Sequence, residues 1–293
     1  MIWVVLTTAV AQWFHHRSPR LGAALAYYSV FSMGPLLLLV TAVAGLFFGA
    51  DAVRGSLSAQ FRSLLGPTGS KAIKAMLAGA SSKPAGYLAA ATGVLLILVA
   101  AVGVVAQLKY AMNTIWNVED PKEVSLWWYV RTYLISFAGV LALGLLLTVA
   151  LVLSAALLAI SSALGGEAAA ISTAWQLIEF VVSLAILAAL FSMLFKWFPD
   201  TTVSWQDVWF GAIVTALLFD VGKFLIGWYV GSQGLESTYG AAASILVLLI
   251  WVYYSAQIVL FGAELTHAYA GERGSRRRQG PNSVSARKTD TAM

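Results

Sequence analysis

Six runs in this chain are long and apolar enough to cross a bilayer, and no soluble fold of this size can bury that many. A hydrocarbon layer of about 30 Å needs roughly 20 helical residues. Runs of that kind lie near 22–49, 86–107, 131–163, 173–196, 206–229 and 241–267. Composition agrees: 11% of residues are charged, where soluble domains carry about 25%. Short segments of alternating polarity, the mark of a membrane β-barrel, are not legible. Only helices then satisfy every backbone polar group inside lipid. The expected fold is an all-α membrane protein, a bundle of six transmembrane helices over 21–270.

Two segments flank that domain. Residues 1–20 begin with the apolar MIWVVLTTAVAQWF, too short to span. They read as an interfacial helix with Trp3 and Trp13 at headgroup level, and not as a cleaved signal, because no positive charge precedes the run. Residues 271–293 carry Arg273, Arg276, Arg277 and Arg278 with almost no large apolar side chain, the composition of a disordered basic tail. Between the first two spans, Val53, Leu57, Phe61, Leu64 and Leu65 recur at helical spacing until Gly66-Pro67, and Ile73, Met76 and Leu77 follow. This pattern predicts two short amphipathic helices in the first outer loop, either a cap on the bundle or a lid. Putting both termini inside leaves twelve of the 18 Lys and Arg residues on the inner side. The outer loops then hold Arg54, Arg62, Lys71, Lys74 and Lys83. The excess favours cytoplasmic termini.

Ionisable groups within a span are costly and mark candidate sites. Asp220 and Lys223 stand three residues apart in LLFDVGKFLIGWY and share a helix face. Glu179, about 9 Å along the fourth span from its start at 173, reaches a depth similar to Lys223. Glu179, Asp220 and Lys223 thus form a candidate buried polar network, either a substrate or ion site or a strut between helices. Gln257 and Glu264 in the last span are a candidate second site. Gln257 suits interhelical hydrogen bonding. Glu264 suits either a relay with His267 or a hydrated place near the inner interface, the commoner situation. Gly34-Pro35 should kink the first span, since proline removes an i→i−4 bond.

Enzyme chemistries find little support. The chain has no cysteine and three histidines, of which adjacent His15 and His16 point about 100° apart on a helix and make a poor metal pair. No HExxH, GxSxG or Walker A motif occurs. Glu119, Asp120, Lys122 and Glu123 read as solvated loop charges, and no folded basic domain supports nucleic-acid binding. No catalytic residue, metal or cofactor is expected.

Three stretches carry a resemblance: ALAYYSVFSMGPLLLLV (24–40), YAMNTIWNV (110–118) and the long run 197–269. The last contains FPD, the Asp220 to Lys223 spacing, YGA at Tyr239-Gly240-Ala241, LxWxY and GAEL. Together they resemble the YihY/virulence factor BrkB family of bacterial inner-membrane proteins, over roughly 15–270. The resemblance implies a six-helix fold in the cytoplasmic membrane. It implies no catalytic site: the family's old ribonuclease BN label finds no catalytic residues here. Links of other members to serum resistance and to solute or ion transport are not tied to residues. The resulting expectation is a transporter or permease-like protein for an unidentified small solute or ion, in contact with membrane lipids. The alternative is a non-transporting envelope or scaffold protein.

Overall fold

A computed structural model of the chain describes residues 2–81, 103–118, 169–232 and 235–272. Every element among the described residues is helical. Helix α1 (Ile2–His15) and α2 (Ser18–Phe48) are separated by a two-residue turn in which Arg17 takes φ 54°. Pro19 sits in the first turn of α2, where its missing N–H costs nothing. The 31-residue α2 runs through Gly34-Pro35 as one helix. It stops at Gly49, which takes φ 83° and donates its N–H to Gly45 O at 3.0 Å. That is the left-handed glycine stop expected after a helix.

Helix α3 (Ala50–Ser81) is broken at Gly66, φ 68° and ψ −175°, immediately before Pro67. The two amphipathic halves thus meet at the Gly-Pro break that the periodicity indicates. Helix α4 covers 103–115. It closes with Asn117 at φ 52°, Asn117 N–H donating to Thr114 O at 3.2 Å and Val118 N–H to Asn113 O at 2.9 Å. This paired bonding satisfies the carbonyls that a helix end leaves open, with Asn in the place usually taken by Gly. Then come α5 (Ala169–Trp197), α6 (Trp205–Ser232), the short α7 (Leu235–Tyr239), a 3₁₀ turn (Gly240–Ala242) and α8 (Ala243–Glu272).

Among the described residues, three helical stretches are long and apolar enough to cross a membrane: Phe180–Trp197, Trp205–Tyr229 and Ala243–Glu272. They coincide with the expected fourth, fifth and sixth spans, and α2 occupies the position of the first. The expected span 131–163, most of 86–107, the loop acids 119–123 and the tail from 273 lie outside the described residues.

The chain divides into two compact units, one of 1–18, 109–218 and 259–293, the other of 19–108 and 219–258. In the first, α1 buries Val5 and Ala9 against Leu265 and Ala268 of α8, with Phe210 stacked on Tyr269 at 4.5 Å. Trp3, Val4, Val10 and Phe14 are left on the exposed side of α1. In this unit α6 and α8 also meet through two glycine–threonine contacts. A methyl group placed on Gly211 would overlap Thr266, and one on Gly262 would overlap Thr215. Each threonine hydroxyl is turned back onto its own helix, Thr215 Oγ1 donating to Gly211 O at 2.6 Å and Thr266 Oγ1 to Gly262 O at 2.7 Å. Small residues allowing backbones to approach is the usual basis of membrane helix association.

In the second unit the amphipathic halves of α3 find their partners. Leu65, Ala72, Ile73 and Leu77 are buried with Ala26 and Leu37 of α2 and Leu248 and Val252 of α8, and Leu57, Phe61 and Met76 pack around them. Six of the eight positions that define the 3.6-residue pattern in the sequence, Leu57, Phe61, Leu65, Ile73, Met76 and Leu77, form this contact.

Candidate functional site

Three groups of polar side chains stand out. The first is on α6 in the second unit. Asp220 and Lys223 form an ion pair one helical turn apart, with side chains 16% and 33% exposed. The remaining carboxylate oxygen, Asp220 Oδ2, is buried and has no hydrogen-bond partner. Lys223 borders a narrow space of about 160 Å³ with Phe219, Gly222, Trp251, Tyr254 and Ser255, which leaves no room for a water molecule. Gly222 is what lets the Tyr254 ring in: a methyl there would lie 2.5 Å from the phenol oxygen. Glu179 belongs to α5, and its side chain lies outside the described ones, so the pair and not the three-membered network is seen.

The second group, in the first unit, gathers around Glu264 of the candidate second site. Glu264 on α8 is completely buried. The reading of a hydrated carboxylate near the inner interface is therefore wrong, because donors from the α1–α2 turn close over it. His16 Nδ1 lies 2.9 Å from Oε1 and 3.1 Å from Oε2, and Ser18 Oγ donates to Oε1 at 3.0 Å. His267, one turn further along α8, faces His16 at a ring separation of 6.5 Å and Trp116 at 5.0 Å. Burying a carboxylate requires such compensation. The left-handed turn at Arg17 sets His16 and Ser18 side by side above it. Gln257, paired with Glu264 in the sequence reading, lies in the other unit. It donates from Nε2 to Pro19 O at 3.3 Å, and Gly22 makes room for its amide.

The third group links two of the sequence motifs. Asp200 of FPD accepts from Asn113 Nδ2 at 3.0 Å, its backbone N–H donates to Asn113 Oδ1 at 2.9 Å, and Lys109 Nζ lies 2.9 Å from its other oxygen. Lys196, beside this turn, donates to Val203 O and sits 5.6 Å over the Trp205 ring. These contacts hold the turn between α5 and α6 against α4. Tyr239-Gly240 of YGA serves a backbone purpose: Gly240 takes φ 53° at the start of the 3₁₀ turn, a conformation that disfavours a side chain.

Two of the motifs, 110–118 and FPD, are therefore joined in space. Residues 9–287 match the family described as Virulence factor BrkB. The chain belongs to the BrkB family. It is similar to a UPF0761 membrane protein of Methylibium petroleiphilum, 28% identical over 278 residues, covering 92% of this chain and 63% of the relative. A UPF0761 membrane protein of Pseudoalteromonas atlantica is 28% identical over 251 residues, 83% of this chain and 78% of the relative. One from Stenotrophomonas maltophilia is 30% identical over 252 residues, 86% and 57%. The chain thus spans less than two thirds of the first of these curated BrkB-type relatives. No solved structure matches it. Family membership and the three apolar helices together make this a membrane protein.

Neither the periodicity nor the motifs pointed to His16, Ser18 or Trp116 around Glu264. The available signal was chemical: a carboxylate inside an apolar run needs donors, and HHRS at 15–18 is a dense source of them.

Proposed function

We propose that this BrkB-family protein is a non-enzymatic, six-span protein of the bacterial cytoplasmic membrane, both termini inside, that moves a small solute or ion across the bilayer. The observation that carries the reading is the Asp220–Lys223 pair, with Asp220 Oδ2 buried and unpaired on a helix of membrane-spanning length. Charged groups inside an apolar helix stay costly even when paired, and the open acceptor position on the carboxylate offers a cation or a substrate donor a place to bind. The exposed face of α6 supports a crossing orientation: Trp209, Ile213, Leu217, Val221, Phe224 and Trp228 lie along it. Trp209 and Trp228 on it are separated by about 28 Å of helix rise, close to the thickness of the apolar layer. On that scale Asp220 is about 12 Å from the Trp228 level.

The test compares solutes inside cells and in the medium for a deletion strain, the wild-type complement, and a complement carrying Asp220→Asn with Lys223→Met at matched abundance. A solute redistributed by deletion and restored by wild type alone supports transport and names the substrate. Restoration by both proteins refutes a role for the pair in transport. A second reading, a non-transporting envelope or scaffold protein, is favoured by the tightness of the Lys223 surroundings, where no water fits. It predicts no redistribution and a phenotype insensitive to neutralising the pair.

A further inference from the structure

We propose that Glu264, His16 and His267 form an internal proton-binding site with the exposed His15 as its access to water. The geometry is that of a relay. Glu264 is 0% exposed and the His16 side chain 7%, so neither exchanges a proton with bulk solvent directly. His15 is exposed, and its ring lies 5.3 Å from that of His16. His16 presents Nδ1 to both carboxylate oxygens, and His267 faces the same imidazole from α8 at 6.5 Å. The titratable groups facing His16 are thus His15 from its own helix and Glu264 and His267 from α8. Trp116, after α4, covers His267 and carries no charge.

Charge balance makes the site a proton acceptor. A buried Glu264 carboxylate with neutral histidines leaves one uncompensated negative charge, the costliest state for an interior. Uptake of one proton brings the cluster to zero, whether the proton rests as N–H on His16 or as O–H on Glu264. The step is a proton transfer alone: a proton from water enters at His15, an N–H bond forms on His16 as that on His15 is given up, and nothing is oxidised or reduced. Imidazole is suited to this because each nitrogen can accept while the other donates. Ser18 Oγ, fixed on Oε1, donates in either state and holds the carboxylate in place. A structural strut would need only one fixed protonation state. Two imidazoles leading inward from the surface, His15 and then His16, with His267 beside the second, supply a path to the buried acid as well. The inference adds a proton to the transport reading as a coupling ion, but it stands on the cluster and does not require that reading.

The chain contains three histidines, so ¹⁵N-histidine labelling of the full-length protein in lipid nanodiscs gives three ring systems, assigned with His15→Gln and His267→Gln. Followed from about pH 5 to about pH 9, the window in which imidazole charge is set by its surroundings, His16 and His267 are expected to change protonation in one joint step, apart from His15. Glu264→Gln removes the carboxylate that His16 Nδ1 faces and should therefore change the His16 step. A His16 ring that keeps one protonation state throughout in wild type overturns the proposal, and that measurement needs no variant to fold. So does an unchanged His16 step in Glu264→Gln. Loss of flux in the Asp220/Lys223 variant with no His16 titration refutes the proton site and leaves transport standing. A His16 titration without any solute redistribution does the reverse.

Discussion

Adding one methyl group at Gly211 should loosen the protein by about 1–3 kcal/mol, the ordinary cost of overpacking a well-filled contact. The added Cβ would lie 2.9 Å from Thr266 Cβ and 3.1 Å from Gly262 O, and closer still to the Thr266 hydroxyl. Ordinary carbon contacts begin near 3.5 Å, so α6 and α8 must part locally or Thr266 must rotate. Rotation breaks the 2.7 Å bond from Thr266 Oγ1 to Gly262 O, at a cost of about 0.6 kcal/mol or more in a membrane interior. Opposing this, Ala is favoured over Gly in a helix by up to about 1 kcal/mol. Packing wins because the clash reaches Thr266 Cβ, which rotation of the side chain does not move, with the Gly262 carbonyl close behind it. The assay is unfolding in mild detergent, with Gly227→Ala as control: a methyl there meets nothing within 4 Å, so only the propensity gain applies. Thr266→Ala in the Gly211→Ala background should recover about 1 kcal/mol, an interaction energy expected of side chains in contact. If Gly211→Ala behaves like Gly227→Ala, or if the double variant is merely additive, the close approach of these two helices is not what stabilises them.

Two further outcomes follow from the backbone and from the motif junction. Gly66→Ala should lower stability by about 1–3 kcal/mol, because φ 68° with ψ −175° is a region that side chains avoid. Gly55→Ala in the same helix, where a methyl meets nothing, should be neutral or stabilising, and a melting comparison of the two checks it. Asp200→Ala and Asn113→Ala should each cost about 1 kcal/mol, and the double variant should cost clearly less than their sum. Full additivity in that cycle would show that the FPD turn is held by something other than Asn113.

What the sequence made legible was what is local. The helical period and Gly66-Pro67 suffice to mark both halves of α3, because a break in backbone conformation is written in adjacent residues. The lengths of α5, α6 and α8 follow from the run of apolar residues for the same reason, and Asp220 and Lys223 pair because one helical turn separates them. Long-range partnership is a different matter. His16 and Glu264 are 248 positions apart, and no periodicity relates them. Judged only as neighbours on a helix, His15 and His16 point apart and look inert. The turn at Arg17 changes their situation, sending His16 inward while His15 stays in water.

That difference separates the two sites in kind. Lys223 is bound to Asp220 by the geometry of one helix, so the pair persists whatever the rest of the protein does, and any ligand must compete with a permanent neighbour. Glu264 is satisfied only while the α1–α2 turn stays docked, because His16 and Ser18 are both supplied from there. Undocking would take both of these donors away, and a Glu264 carboxylate left buried without them would cost several kcal/mol. The occupancy of the site by a proton and the seating of α1 are therefore linked: whatever changes the charge on Glu264 or His16 changes how firmly the turn is held, and the same free energy appears in both. Replacing Val5 or Ala9 with a polar residue, which loosens the seat of α1 on Leu265 and Ala268 without touching the cluster, should then shift the His16 protonation step. An unmoved step would mean that the turn is anchored by its own bonds alone.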